Sequence, residues 1–215
     1  KWTIDSSKNG GYPYLTRGYN ITYDIDGGSA VNGLISQMKL PDTFPTTTKA
    51  GFEFGGWFTD SDKTTPAATG DAISKNTTLY ALWNPHDFEY TAVDNVITAT
   101  CSNDGCDIPN KNTEGKGYVT LTLTSPAIGY TYDAEPHGVS YLSTDETTAW
   151  EAAMGTSAPA IEYYLSGGAI KTTAENSGAE DDGKAPVNAG TYVAKVTVTG
   201  ADSATYSAIT EFTIA

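Results

Sequence analysis

Apolar and polar positions alternate through most of this chain, and helical spacing shows itself clearly in one place. In "GYNITYDIDGG", Tyr19, Ile21, Tyr23 and Ile25 fall on one face of an extended segment, and Asp26-Gly27-Gly28 ends it. "VNGLISQMKLP" predicts a second strand that stops at Pro41. A Pro- and Thr-rich connection leads to "FEFGGWFTD", a third strand, and "TTLYALW" supplies a fourth. In the fourth strand Leu79, Ala81 and Trp83 share one face, with Tyr80 and Leu82 on the other. Four strands within about 65 residues make a module near the lower size limit for independent folding.

The turn-rich "NPHD" at 84–87 reads as a domain boundary. Beyond it, "FEYTAVDNVITATC" predicts two strands around an Asp94-Asn95 turn. "GYVTLTLTSPA" alternates with Val119, Leu121 and Leu123 on one face. "PHGVSYLS", "IEYYLS", "GTYVAKVTVTG" and "TEFTIA" follow. About seven strands over about 125 residues suit a β-sandwich. The helical exception is "STDETTAWEAAMG". Ser143 and Glu146 have capping-box spacing, Ala149, Trp150, Ala153 and Met154 follow helical spacing, and Gly155 can stop the helix. A short inserted helix packed by Trp150 is expected. Residues 172–186 lack apolar periodicity and read as an exposed loop. Residues 1–18, with a turn at Asn9-Gly10-Gly11 and an extended Tyr12-Pro13, are too short for a core and read as the tail of a preceding module.

Composition agrees with many short strands joined by turns: Thr, Gly, Ser and Tyr are abundant. Asp and Glu number 26 against 12 Lys and Arg, a formal charge of −14. That balance argues against nucleic acid, whose phosphates need clustered Lys and Arg, and against docking on an anionic membrane. No apolar run is long enough for membrane insertion. The sequence begins at Lys1 without a signal-peptide pattern and reads as part of a longer or processed protein.

Motifs for catalysis are missing from the sequence: no G-x-S-x-G, H-E-x-x-H, phosphate-binding loop or dinucleotide fingerprint is present. The chain is therefore expected not to be an enzyme, and no cofactor is implied. Carboxylate pairs such as Asp24 and Asp26, Asp60 and Asp62, and Asp181 and Asp182 read as solvated turns, with weak calcium binding as the second reading. His86 lies in the boundary segment and His137 in a Tyr-Asp-x-x-Pro-His turn, each far in sequence from the cysteines. "CSNDGC" and two such histidines are too few ligands for a zinc site on this reading. The pair "GG" beside Trp57 poses a choice between a ligand-gripping Trp and a Trp that plugs a small core. The core reading is preferred, with Trp57, Trp83, Tyr23 and Leu79 as its structural residues, because one buried aromatic covers about 150–250 Å². Gly55 and Gly56 would let the backbone bend or bulge as it passes.

Residues 19–83, through "ITYDIDGGS", "LPDTFPTTTKAGFEFGGWFTD" and "TTLYALW", closely resemble the Listeria–Bacteroides repeat, or internalin B-repeat, of bacterial surface proteins. The resemblance rests on the Gly-Gly turn, the Lys-Gly-aromatic-x-Phe-x-Gly-Trp segment and the closing Leu-Tyr-Ala-x-Trp. Ala50 stands between Lys49 and Gly51, and Phe58 replaces the usual Tyr. Residues 117–215 resemble more loosely the MBG domain of similar proteins, through Tyr-Asp-x-x-Pro-His and "NAGTY" entering a long strand. Ala134 stands where that family usually has Gly, and the helix is extra to its pattern.

These resemblances imply a β-grasp-like module at 19–84, an immunoglobulin-like β-sandwich at 85–215, and a mainly β fold overall. They imply a non-catalytic segment of a bacterial cell-surface or secreted protein, extracellular or in the cell wall, acting as stalk, spacer or adhesion module. The partner would be an unspecified host or cell-surface protein or a glycan. The alternative is a carbohydrate-binding module attached to a secreted enzyme, which an exposed, coplanar Trp–Tyr platform would favour. In an oxidising compartment, Cys101 and Cys106 are expected to form a disulfide across the Asp104-Gly105 turn. So small a loop would contribute only about 2 kcal/mol by chain entropy.

Overall fold

The computed structural model describes residues 2–4, 9–15, 18–166 and 185–215. The chain divides into two compact units, residues 1–85 and 86–215. The loop expected at 172–186 and the Asp181–Asp182 pair fall almost wholly outside the described residues.

In the first unit, β1 (Trp2–Thr3) pairs antiparallel with β2 (Tyr14–Leu15) across a single 3-10 turn at Asn9–Gly11. The main sheet holds β3 (Tyr19–Asp24), β4 (Leu34–Gln37), β5 (Phe52–Phe58) and β6 (Thr77–Pro85), in the order β4-β3-β6-β5. The two central strands run parallel, with Tyr23 beside Leu79, and each has an antiparallel edge partner. This is the strand order of a β-grasp. The 38–51 connection covers the sheet where that fold places a helix: Leu40 is buried, and Phe44 packs against the same cluster. Buried Thr47 donates its hydroxyl to Ser29 O at 2.8 Å, which anchors the connection without a helix.

Period-two alternation builds the core. Ile21, Leu79 and Ala81 are buried with Trp57, and Tyr23, Phe54 and Trp83 pack around them. Gly55 and Gly56 sit at a bulge, where the β5 register shifts between Phe54 and Gly56. Gly56 has φ +106, a backbone that side chains rarely adopt, and a Cβ on Gly55 would come within 3.0 Å of Leu82. The strand expected to reach Pro41 ends at Gln37. Ser36 turns the backbone to φ 57, and the chain then pairs elsewhere: Ile73 N donates to Met38 O and Leu40 N to Asp71 O.

The second unit is a sandwich of a four-stranded and a three-stranded sheet. The first holds β7 (Phe88–Val93), β8 (Val96–Cys101), β9 (Tyr118–Thr124) and β10 (Ser140–Tyr141), in the order β10-β9-β8-β7. The second holds β11 (Glu162–Leu165), β12 (Gly190–Thr199) and β13 (Thr205–Ile214), in sequence order. Ile97, Leu121, Leu123, Val196 and Ile214 from the facing strands fill the core. The named strands of both sheets pair antiparallel, as one buried and one wetted face per sheet allow, and an isolated parallel bridge joins Tyr130 to Ile214.

Between β10 and β11, α1 (Thr144–Met154) buries Trp150 and Ala153. Ser143 caps it, accepting from Glu146 N, and Gly155 ends it at φ 71. The reciprocal half of a capping box does not form. The Glu146 carboxylate turns instead to β9, accepting from Thr122 N at 2.9 Å and from the hydroxyls of Thr120 and Thr122 at 3.0 and 2.8 Å. β10 is only two residues long, so the helix satisfies a sheet edge that the strand leaves open.

Candidate functional site

Tryptophan placement bears directly on a glycan platform. Trp57 is 3% exposed, and its indole donates to Pro45 O at 2.8 Å. Tyr23 and Phe54 press on its ring at 4.6 and 5.3 Å. Trp83 is less deeply set than the sequence suggested: it is half-buried at the margin of this core, with its indole donating to Ile25 O at 3.0 Å. Its ring lies against bare backbone, since a Cβ on Gly28 would stand 2.5 Å from its Cζ2. Leu79 is wholly buried, and Tyr23 is half-buried with a hydroxyl that has no hydrogen-bond partner among the described residues. Trp150 is buried in the sandwich. Among the described residues the exposed large rings are Trp2, Tyr12 and Tyr132, 71%, 72% and 50% open to solvent.

Asp24, Asp26 and Asp60 of the first unit are engaged as turn caps and an ion pair. Asp26 Oδ2 meets Lys63 Nζ at 2.9 Å, and Lys63 holds the Asp26 carboxyl below the usual carboxylate range. Asp24 Oδ1 accepts from Asp26 N at 3.2 Å. Asp60 accepts from the backbone of Thr64 and Thr65 at 3.0 and 2.7 Å, and the Thr64 N–H leads in lowering its pKa.

The Tyr-Asp-x-x-Pro-His turn folds on itself. Asp133 Oδ1 accepts from Glu135 N at 2.9 Å and lies 2.8 Å from His137 Nε2. The imidazole stacks on Tyr130 at 4.5 Å. Glu135 N–H first, and His137 second, hold the Asp133 carboxyl low. Ala134 takes φ 66 in this turn, the left-handed region that favours the Gly it replaces.

The third constellation is one that sequence reasoning missed. Asn84 and Pro85 continue β6 rather than forming a turn, paired with Glu53 and Phe52. His86 then inserts its ring into the second unit, with its side chain 4% exposed. Its Nδ1 lies 3.6 Å from Cys101 Sγ and 3.6 Å from Cys106 Sγ. Nε2 faces the exposed Asp107 at 3.6 Å, and Phe88 flanks the ring at 5.6 Å. In this structure both cysteines are buried free thiols, and the sulfurs converge on the imidazole; the bridge expected between them is not formed here.

The loop that carries Cys106 is fastened from outside. Lys111 Nζ donates to Cys106 O, and Lys116 Nζ to Ser102 O at 2.8 Å. Cys101 N donates to Gly117 O at 2.7 Å. Gly117 has no side chain to spare: a Cβ there would lie 2.8 Å from Ile108 Cβ and 3.1 Å from Cys106 Sγ. Burial, reinforced by the hydrogen bond with Cys106, pushes the Cys101 thiol up to about 11. Backbone N–H groups of Asn103 and Asp87 oppose that rise. Register arithmetic was the available signal. A two-residue turn at Asp94-Asn95 pairs Phe88 with Cys101, which brings His86 to the same end of the hairpin.

With the geometry in hand, comparison with known families adds one finding. Residues 19–82 match the Listeria-Bacteroides repeat domain. That repeat belongs to bacterial surface proteins, which is consistent with a non-catalytic surface module. Neither the curated proteins nor the solved structures contain a match to the chain. Among the described residues, no helix is long and apolar enough to cross a membrane.

Proposed function

We propose that this chain is a non-catalytic segment of a bacterial cell-surface or secreted protein, in which the repeat and an MBG-like sandwich serve as stalk, spacer or adhesion module. The observation that carries the reading is the repeat itself at residues 19–82, with Trp57 spent on its core. The sandwich supports it by the same economy: Trp150 is buried, and Tyr90 and Tyr206 meet at 34°, a tilt that gives no flat shelf for a sugar ring. The MBG-like assignment rests on Tyr-Asp-x-x-Pro-His and on Ala134, whose left-handed backbone suits a position where Gly is usual.

An antibody raised against the chain should label intact bacteria that make the parent protein. Labelling that requires cell lysis would overturn the surface assignment. The carbohydrate-binding alternative draws on exposed Trp2 and Tyr12. A glycan array probed with the labelled chain separates the two. Binding that disappears in Trp2→Ala would favour the carbohydrate module, and an array without signal would favour the stalk.

A further inference from the structure

We propose that His86 Nδ1, Cys101 Sγ and Cys106 Sγ are the ligands of a thiophilic divalent metal, Zn2+, at the head of the sandwich. The three donor atoms lie within 4.8 Å of one another, the one such gathering of three among the described residues. A tetrahedral ion with Zn–S near 2.3 Å and Zn–N near 2.0–2.1 Å places sulfur and nitrogen about 3.6 Å apart. Both sulfurs stand 3.6 Å from the same nitrogen. A neutral imidazole Nδ1 offers one proton or one lone pair, so it can serve one thiol well but not two alike. An ion between the three atoms satisfies all of them at once. The "CSNDGC" spacing, four residues between the sulfurs, lies within the range of paired cysteine ligands in zinc sites.

Charge selects the class of metal. Cys101 is fully buried and Cys106 5% exposed, so a net charge there would be costly. Two thiolates and a dication sum to zero, whereas two thiolates and a monocation leave a buried negative charge. On binding, each thiol gives up its proton, two per ion. The imidazole donates its Nδ1 lone pair and keeps a proton on Nε2. Asp107 faces that Nε2 at 3.6 Å, the outer carboxylate that commonly orients a ligating imidazole. The three side chains leave one tetrahedral position for a water. Bound metal would tie the start of β7, the end of β8 and the 102–117 loop together, a staple at the end of the sandwich. This proposal is independent of the surface reading above.

The test uses the whole chain, reduced and held without oxygen, titrated with Co2+ and then Zn2+. One Co2+ per chain should bind and give an intense near-ultraviolet thiolate-to-metal charge-transfer band. Zn2+ should displace it, and two protons should be released for each Zn2+ bound to the metal-free chain. Zn2+ should raise the melting transition of the sandwich and leave that of the repeat in place. Cys106→Ser should abolish the band. Asp107→Asn, at an exposed position that does not threaten folding, should weaken Zn2+ binding by about tenfold. A reduced, folded chain that retains no metal on dialysis would overturn the proposal, as would a charge-transfer band that persists in Cys106→Ser. A native chain lighter by two hydrogens, which still takes up no metal after reduction, would assign the pair to a disulfide instead.

Discussion

Trp57 in the repeat touches Tyr23 and Phe54, hangs from Pro45 O by its indole, and shares its core with Ile21, Leu40, Leu79 and Ala81. The sandwich also has a ring at its centre, Phe212, which meets Tyr130, Tyr163 and Tyr192, but most of its core is aliphatic. Ile97 and Cys101 on β8, Leu121 and Leu123 on β9, and Ala194 and Val196 on β12 each fill one step of an interleaved stack. The small unit gathers its apolar area into a few large rings and fastens its two indoles, Trp57 and Trp83, by N–H to backbone carbonyls. The large one spreads the same task over alternating aliphatics from several strands as well as its rings. Removing one part should therefore cost the two units unequally.

The largest effect follows directly. Trp57→Ala should destabilise the repeat by about 3–5 kcal/mol. At about 0.05–0.15 kcal/mol per residue, a module of some 65 residues has only about 3–10 kcal/mol in total. Calorimetry of the whole chain should then lose the repeat transition and retain the sandwich transition. Leu121→Ala, about 2–5 kcal/mol in a unit nearly twice as long, should lower the sandwich transition without erasing it. If both transitions vanish together in Trp57→Ala, the units do not fold independently and the contrast fails.

Much of this division was legible beforehand. Alternation located β3, β9 and β12, because a strand with one wetted face writes its burial into every second residue. Ser143 and Gly155 located α1, because caps are local chemistry. Three things were hidden for a shared reason: they depend on what lies across a gap in sequence. The β4 strand stopped early because Ser36 turns and 38–40 finds 71–73. Glu146 left its capping box because β9 offered three better donors. His86 looked like a turn residue until strand pairing carried it to Cys101 and Cys106.

Alkali should separate the two units by a different property. The sandwich buries several phenols whose neutral form the fold favours. Burial raises Tyr90, Tyr141, Tyr163 and Tyr192, and burial followed by the Glu162 hydrogen bond takes Tyr164 to about 12. The repeat contributes Tyr23, raised by burial. A phenol with a raised folded pKa binds its proton more tightly in the native state. Its stabilisation is whole below the unfolded value of about 10 and is lost as pH climbs through the folded value. Melting curves taken from about pH 9 to about pH 12 should show the sandwich transition falling faster than the repeat transition, with Trp57→Ala identifying which is which. A steeper fall of the repeat would mean that the sandwich tyrosines ionise without unfolding it.

The smallest expected effect lies in backbone strain, and it runs toward greater stability. In the repeat, Gly27, Gly51 and Gly56 take φ of +84, +83 and +106 at turns and at the bulge. In the sandwich, Ala134 takes φ 66 in the turn held by Asp133 and His137. A left-handed residue with a Cβ costs about 1–2 kcal/mol relative to one without. Substituting Gly relieves that strain but restores about 0.4–1 kcal/mol of freedom to the unfolded chain. Ala134→Gly should therefore stabilise the sandwich by about 0–1.6 kcal/mol, a rise of at most a few °C in its transition. The repeat transition should not move. The Glu135 N–H and His137 contacts to Asp133 would remain, because neither involves the Ala134 methyl. A fall in the sandwich transition would show that these contacts, and not a relaxed backbone, set the turn, and that the methyl makes a favourable contact of its own.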